Sequence, residues 1–277
     1  MIRLGMMARQ TADMDIEKVI EQARLLELDA VDLHLSGMPR DIEYLQRVKG
    51  SCIRHGLTIG YAGSGSFVGL PEEHDKRMTQ GRADVDAAAF LGVQCVRVFA
   101  RHKWPDTVEE QEAFWGPMIA SFQELADYAA AKGVHIALQN HNNGSFAMTA
   151  TQVLRILRET DRSNFTFLMD TGQWWGAIGS HPRGEFDASV DLYEDYLKPT
   201  APHTTYVRAK IFKIDNGREE WIDYPRILGI LQDVGFNGTI GLVFEVGDRN
   251  ACPLDECVRL AVRHLRQVIN ESYEARE

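Results

Sequence analysis

The sequence lacks the features of a secreted, membrane-spanning or polyanion-binding chain. Its four cysteines form no paired framework, and the close pair Cys252 and Cys257 is too little to indicate zinc. No apolar run approaches the ~20 residues that cross a bilayer, and the start, MIRLGMMARQ, turns polar too early for a signal peptide. The net charge of −10 disfavours nucleic acid and anionic membranes as partners. We therefore expect a cytoplasmic protein with reduced thiols.

A glycine-rich phosphate turn is also missing. The first predicted strand runs into Gly5-Met6-Met7-Ala8, which does not resemble the turn that opens a doubly wound nucleotide-binding sheet. The glycine-rich stretch GSGSFVG, from Gly63 to Gly69, follows the third strand and has no lysine in P-loop spacing. We interpret it as a flexible loop over the mouth of the fold. The doubly wound open sheet is therefore the less favoured of two possible folds.

An alternation of amphipathic helix, turn and apolar strand runs along the whole chain. We predict strands at 2–6, 30–35, 57–62, 95–99, 134–139, 165–170, 205–211 and 239–245. Helices fill most of the gaps, and the last runs from about Leu254 to Glu271. Eight strand–helix units without a linker predict an α/β fold, a closed (β/α)8 TIM barrel that forms a single domain over 1–277.

Four strands end in polar residues. The phrases are LQNHN ending at Asn142, LMDTGQ ending at Gln173, YVRAK ending at Lys210 and LVFEVG ending at Gly247. The carboxyl ends of barrel strands meet at one mouth, so these phrases predict a single site. Asp170 and Glu245 each end an apolar strand, where an unpaired carboxylate is costly. A cation, a metal or a substrate hydroxyl would pair them, and a salt bridge that closes the barrel is the alternative.

These phrases resemble those of the xylose-isomerase-like barrels, the superfamily of sugar-phosphate isomerases and epimerases. The resemblance covers nearly the whole chain. It implies an enzyme of carbohydrate metabolism whose fifth strand ends in Glu-Asn-His, its sixth in Asp-x-Gly-His, its seventh in His-x-Lys and its eighth in glutamate. In that family the two glutamates, the aspartate and the seventh-strand histidine hold a divalent metal. The two glutamates also move protons across an enediol intermediate.

Five residues of this chain match that pattern, and three depart from it. The matching residues are Asn140, His141, Asp170, Lys210 and Glu245. Gln139 stands at the position of the first glutamate, Gln173 at that of the sixth-strand histidine, and Arg208 at that of the metal-binding histidine. A glutamine oxygen can bind a hard cation but takes no proton at neutral pH, and an arginine does not bind metals.

The substitutions affect the metal expected from the resemblance. Manganese or magnesium could still be held by Asp170, Glu245 and Gln139. However, Asp170, Glu245 and Arg208 already carry a net charge of −1, the same as three carboxylates with a divalent ion. The guanidinium could thus neutralise the acids in place of the ion. We therefore expect a weak metal site or none.

The mechanism implied by the resemblance changes as well. Glu245 remains as a base, while Lys210 or Arg208 could polarise a carbonyl or bind an oxyanion. One base suits an elimination by a lyase, a one-sided tautomerisation, or an epimerisation in which His34 or His141 supplies the second proton. Gln139 would complete the catalytic group.

Further residues are candidates for substrate binding. Trp174 and Trp175 could provide an apolar wall for a sugar ring, with packing as the alternative role. Arg101, in the basic cluster 101–103, could contact a phosphate or carboxylate, or else remain solvated. The other substrate-binding candidates are His34, Asn140 and Arg208. The charged stretch Asp215 to Trp221 could cover the mouth or contact another subunit.

Two functions of different class follow. The first is a sugar or keto-sugar isomerase or epimerase, or a related one-base lyase. The alternative is an inert subunit that binds a sugar or a partner chain, in which Arg208, Asp170 and Glu245 form an ion-pair cluster. An endonuclease of the same superfamily would need a histidine-rich zinc site and a basic groove, and the sequence has neither. Family analogy also predicts a homo-oligomer.

Overall fold

Eight parallel strands pair in chain order and close into a barrel, with β1 against β8. The computed structural model describes residues 2–7, 16–103, 105–178, 186–244 and 250–274. The strands are β1 (Arg3–Met7), β2 (Ala30–His34), β3 (Thr58–Ser66), β4 (Cys95–Phe99), β5 (His135–Gln139), β6 (Phe165–Asp170), β7 (Thr204–Ile211) and β8 (Thr239–Phe244). The predicted fold, a single-domain TIM barrel, is confirmed.

Helices lie between the strands and after the last one. They are α1 (Ile16–Leu25), α2 (Ile42–Arg54), α3 (His74–Leu91), α4 (Val108–Ala130), α5 (Ala150–Thr160), the short α6 (Lys198–Thr200), α7 (Tyr224–Asp233) and α8 (Leu254–Glu274). A π-helical segment, Leu192–Leu197, leads into α6. In the described part of the chain, no helix is both long and apolar enough to span a membrane.

Local signals determine where the helices begin and end. At α5 the Thr149 side chain accepts a hydrogen bond from the Gln152 backbone N–H, and the Gln152 side chain accepts one from the Thr149 N–H. This capping box satisfies two backbone donors that the helix leaves unpaired. Gly92 ends α3 with a φ of 79°, a left-handed conformation that glycine adopts at little cost.

The strands separate two apolar regions. One set of side chains faces the helices and joins the main core, including Val96, Val98, Ile136, Leu138, Phe167, Met169, Val207 and Ala209. The other set faces the barrel interior, where a small separate cluster contains Tyr61, Cys95, Ala137, Leu168 and Tyr206. Side chains two positions further along a strand lie on the same face. The next interior layer is therefore Gly63, Arg97, Gln139, Asp170 and Arg208.

The loop predicted for the glycine-rich stretch is wrong for its first part, Gly63 to Ser66, whereas residues 67–69 lie outside the strand. β3 continues through Ser66, and Gly63 pairs with His34 on one side and Arg97 on the other. A Cβ atom at Gly63 would overlap the Arg97 guanidinium. Any other residue at this position would displace the buried Arg97 guanidinium, which lies next to the backbone of β3.

The expectation of reduced thiols is wrong for one pair of cysteines, and the role expected of the stretch Asp215 to Trp221, to cover the mouth or contact another subunit, stays a prediction. Cys252 and Cys257 are joined in a disulfide, whereas Cys52 and Cys95 are buried free thiols. The pair was expected to be reduced, because a spacing of five residues gives no indication of pairing. The stretch Asp215 to Trp221 packs against the loop before α8, since the Asp215 carboxylate accepts hydrogen bonds from the backbone of Ala251 and Cys252.

Candidate active site

Asp170 is the centre of the polar layer in the barrel. It ends β6 and is fully buried. Its Oδ2 accepts hydrogen bonds from Arg208 Nη1 at 3.0 Å and Gln139 Nε2 at 3.1 Å, and lies 4.0 Å from Lys210 Nζ. Its Oδ1 accepts the Gly172 backbone N–H at 3.1 Å. The structure thus brings together four predicted site residues, Gln139, Asp170, Arg208 and Lys210, from three adjacent strands.

This arrangement explains why a carboxylate is tolerated inside the barrel. Arg208 and Lys210 are themselves buried, at 7% and 4% exposure. Removing one member of a buried ion pair lowers the stability of the fold by several kcal/mol, because the remaining charge is left buried without a partner. Charge-assisted bonds from the guanidinium satisfy that need.

The donors around Asp170 do not fit a divalent metal. The family resemblance implies metal ligands at four positions. At the first, the end of β5, Gln139 supplies an amide whose NH2 group points at Asp170. β7 supplies a guanidinium, which cannot bind a cation through its donors. The carboxylate oxygen that would bind the ion accepts two N–H bonds and lies near an ammonium group. A cation placed there would meet like charges rather than ligands.

The fourth position falls on Glu245, which lies outside the described residues, as do its neighbours up to Arg249. The described part of β8 ends at Phe244. The prediction for Glu245 therefore rests on the sequence. Elsewhere in the described part of the chain, the residues that could share a metal ion are Asp215, Cys252 and Cys257, where the two cysteines are joined in a disulfide.

Asn140 positions the site. Its Nδ2 donates to the backbone oxygens of Asp170 at 2.9 Å and Gln173 at 2.8 Å, and its Oδ1 accepts the Asp170 N–H at 2.8 Å. These bonds tie the end of β5 to the end of β6. Gln139 Oε1 is buried and has no hydrogen-bond partner among the described residues, so it remains available to a hydroxyl donor.

The two histidines lie in different parts of the mouth. His34 Nε2 is 3.0 Å from Met7 Sδ, and the same sulfur is 3.3 Å from Arg208 Nη2. His34 is therefore close to the Asp170 cluster. His141 lies on the β5 side, with Nδ1 3.0 Å from the Asn143 backbone oxygen and its ring edge-to-face with Phe99.

The aromatic and basic candidates for substrate binding also lie in different environments. Trp174 is fully buried and stacks on Tyr196 at 5.0 Å between ring centroids, so packing accounts for its position. Trp175 is 46% exposed. Arg101 is exposed after β4, with its guanidinium 5.9 Å from the Phe99 ring. It lines an open groove of about 530 Å³ together with Ser66, Phe99, His102, Lys103, Asn143 and Gly144.

Sequence reasoning missed three residues that contact this cluster or lie beside it. Arg97, on β4, is 2% exposed, and its Nη2 lies 3.3 Å from His34 Nδ1. Met7 bridges His34 and Arg208, as described above. Asp32, on β2, is fully buried, and the Tyr206 hydroxyl lies 2.6 Å from both of its oxygens. A charged residue inside an apolar strand, as in CVRVF and AVDLH, was the signal available for two of them.

Burial raises the pKa of Asp32 to about 7, against the opposing effects of the Tyr206 hydroxyl and of Arg208 and Arg97. Gly241 provides the space for the Asp32–Tyr206 pair. A Cβ atom at Gly241 would overlap the Tyr206 hydroxyl. The floor of the site is therefore a carboxyl group that is about half protonated near pH 7.

The raised pKa predicts a pH dependence of stability. Between about pH 4 and 7 the folded chain keeps a proton on Asp32 that the unfolded chain has lost, so stability falls as pH rises. A shift from 3.8 to about 7 corresponds to about 4 kcal/mol across that window. We expect Asp32→Asn to remove this part of the slope in urea unfolding measured from pH 5 to 8. Parallel curves for wild type and variant would contradict it. Glu219, whose pKa is also raised to about 7 by burial, contributes a separate share.

Comparisons with known proteins agree with the barrel fold. A family model described as a xylose isomerase-like TIM barrel matches residues 20–268. Among solved structures, D-psicose 3-epimerase from Clostridium cellulolyticum H10 is 16% identical, with a TM-score of 0.74 over 99% of each chain. The 3-keto-D-glucoside 4-epimerase from E. coli is 13% identical, with a TM-score of 0.73 over 98% of this chain and 100% of that one. An L-ribulose 3-epimerase is 17% identical, with a TM-score of 0.72 over 99% and 95%. No curated protein sequence matches the chain.

Proposed function

This chain belongs to the xylose isomerase-like TIM-barrel family, and we propose that it is an enzyme that removes a proton next to the carbonyl group of a keto-sugar. The observation that carries the proposal is the buried cluster of Asp170, Arg208, Lys210 and Gln139 at the carboxyl ends of β5 to β7. Catalytic groups of TIM barrels lie at this end of the strands. The solved relatives with epimerase activity share the fold, and their sugars suggest the substrate class.

In this proposal two cations replace the electrostatic role of a metal ion. Removing a proton beside a carbonyl places negative charge on the carbonyl oxygen. Arg208 and Lys210 are fixed and shielded from water, so they would stabilise that charge without reorganising. Gln139 cannot take a proton, but its free Oε1 can accept a bond from a substrate hydroxyl.

Glu245 is the proposed base, because it directly follows β8 in the sequence. With a single carboxylate base, the reaction is an elimination, a tautomerisation or an epimerisation. An epimerisation needs a second proton donor on the opposite face of the sugar. His34 is the better candidate, since Met7 places it beside Arg208, whereas His141 contacts Phe99 further round the mouth.

An inert sugar-binding or partner subunit is the second candidate. The observation in its favour is that Asp170 is already fully bonded by donors from the protein. In that case the cluster would be a structural ion pair and no proton would move. A cytoplasmic location and assembly into a homo-oligomer remain predictions from sequence and family analogy.

Proton exchange distinguishes the two candidates. D-psicose, D-tagatose, L-ribulose and a 3-keto-D-glucoside are incubated with the protein in deuterated water, and loss of the α-proton signal is followed by NMR. We expect exchange with at least one sugar. Glu245→Gln should slow it by about 10²- to 10⁴-fold, because it removes the general base.

The matched control is Glu256→Gln, an exposed glutamate in the first turn of α8, which should exchange at the wild-type rate. Both variants should unfold at the same urea concentration as wild type. If no sugar exchanges its proton although the folded protein binds one, the inert alternative is correct.

A further inference from the structure

Arg97 is a buried cation whose guanidinium forms no direct ion pair with any residue that the structure describes, although the carboxyl groups of Asp170 and Asp32 act on it at longer range. It lies in the same interior layer as Asp170 and is 2% exposed. Within the described part of the chain, no carboxylate lies within 4.0 Å of its guanidinium, and its Nε has no hydrogen-bond partner. Its one described hydrogen bond is to His34 Nδ1, a neutral acceptor. Burial lowers the pKa of Arg97 to about 10, which still leaves it charged at neutral pH.

Two other arginines of the described chain, Arg208 and Arg40, have a direct carboxylate partner, although each of them also has a buried Nε without a hydrogen-bond partner. Arg208 bonds to Asp170 at 3.0 Å. Arg40, which is partly buried, bonds to Asp84 at 2.6 Å. An unpaired charge inside a protein is costly, and stable folds usually supply a partner or leave the charge for a ligand. Near the carboxyl end of β4, the end of the strands at which TIM barrels bind their ligands, the second explanation applies.

Two aromatic rings and His34 lie around the guanidinium, and its Nε has no hydrogen-bond partner in the described part of the chain. One face stacks on Phe99, with 4.1 Å from Cζ to the ring centroid. Because a guanidinium only donates, His34 Nδ1 must be the acceptor, which places the His34 proton on Nε2 towards Met7. Nε and the remaining N–H groups can then donate a parallel pair of bonds to a carboxylate or phosphate.

The groove next to Phe99 is positively charged, like Arg97 itself. Phe99 lies between Arg97 at 4.1 Å and Arg101 at 5.9 Å, and the groove that it lines also contains Lys103. The chain as a whole has a net charge of −10. A local cationic path on an acidic protein attracts an anionic ligand to one place.

We propose that the keto-sugar bound at this site carries an anionic group, a carboxylate or a phosphate, and that Arg97 binds that group. The inference rests on the proposed function for the identity of the sugar, but the anion site itself does not depend on catalysis. Arg97 lies on β4 and Lys210 on β7, so the anionic end and the reacting carbonyl would be held by different cations.

Small anions test the site without turnover. Malonate and inorganic phosphate are titrated into wild type, and binding is followed by calorimetry and by the thermal unfolding temperature. We expect saturable stabilisation by one or both anions. Arg97→Met should weaken binding by about 10- to 100-fold, the effect of losing charge-assisted bonds. It should also raise the unfolding temperature in anion-free buffer, because the unpaired charge is gone.

Two controls keep the result interpretable. Arg40→Met should bind the anions like wild type but unfold at a lower temperature, because it leaves Asp84 unpaired. Arg97→Lys retains the charge and should bind more weakly than wild type but more tightly than Arg97→Met. The anion that binds more tightly identifies the group, a carboxylate for malonate or a phosphate for phosphate. Equal stabilisation of wild type and Arg97→Met, or none of either, would overturn the proposal.

The outcome separates the two proposals. If neutral keto-sugars exchange their α-proton as fast as their carboxylate and phosphate derivatives, the function stands and the anion site is wrong. If anions bind through Arg97 but no keto-sugar exchanges, the anion site stands and the function is wrong. For an anionic substrate we expect Arg97→Met to raise KM tenfold or more, with a smaller change in kcat.

Discussion

Replacing Arg208 by methionine is expected to lower the free energy of unfolding by about 3–5 kcal/mol, the usual cost of leaving one member of a buried ion pair alone. Asp170 would keep Gln139 as a hydrogen-bond donor and Lys210 at 4.0 Å, but its direct ionic bond would be lost. Urea unfolding near pH 7.5 measures the change. Proton exchange on keto-sugars should fall with it, because the variant loses a cation at the mouth.

A double-mutant cycle with Asp170→Asn isolates the pair. Arg208→Met/Asp170→Asn removes both charges and should be more stable than either single variant. Arg162→Met, which breaks an exposed pair with Asp127, is the matched control and should cost about 1 kcal/mol or less. Additive effects at Arg208 and Asp170 would mean that the two side chains do not stabilise one another.

Restoring the ligands implied by the family resemblance should create a strong metal site, whereas we expect a weak site or none in the wild type. Gln139→Glu/Arg208→His places two carboxylates and an imidazole around the position now filled by the guanidinium. Without manganese the variant should be less stable than wild type, because the carboxylate introduced on β5 and that of Asp170 repel one another. Manganese at 100 times its Kd should then stabilise it by about 2.7 kcal/mol.

The single variants provide the controls for this gain. Gln139→Glu alone retains Arg208, so its new carboxylate should pair with the guanidinium and bind little manganese. Arg208→His alone lacks one carboxylate and should bind manganese weakly. If the double variant also fails to respond to manganese while remaining folded, the two substitutions are not what prevents metal binding.

Most of the fold could be predicted from the sequence. β4 and β6 were predicted to the residue, because each is a short apolar run between a helix and a polar end. β3 was predicted too short, since its glycines resemble those of a loop. The structure shows what the glycine at position 63 does within a strand, since it leaves room for the Arg97 guanidinium.

The site was only partly predictable. A polar residue at the end of an apolar strand is a strong signal, and it identified Asp170 and Lys210. The sequence could not tell which of two adjacent tryptophans would be buried, because both follow the same strand and differ only in the direction of the loop. Arg97 was missed although CVRVF and YVRAK have the same pattern, an arginine between apolar strand residues. In a barrel, that pattern places a charged side chain in the interior. It therefore indicates a site residue as strongly as a polar residue at the end of a strand does.

The most direct test of whether Arg208 takes the place of a metal ion is the manganese content of the wild-type protein. The protein is purified without chelator, incubated with manganese chloride, separated from free ion and analysed by mass spectrometry, with Gln139→Glu/Arg208→His as the positive control. We predict no stoichiometric manganese in the wild type and a stoichiometric amount in the variant. One manganese ion per wild-type chain, lost on Asp170→Asn, would contradict the proposed role of Arg208.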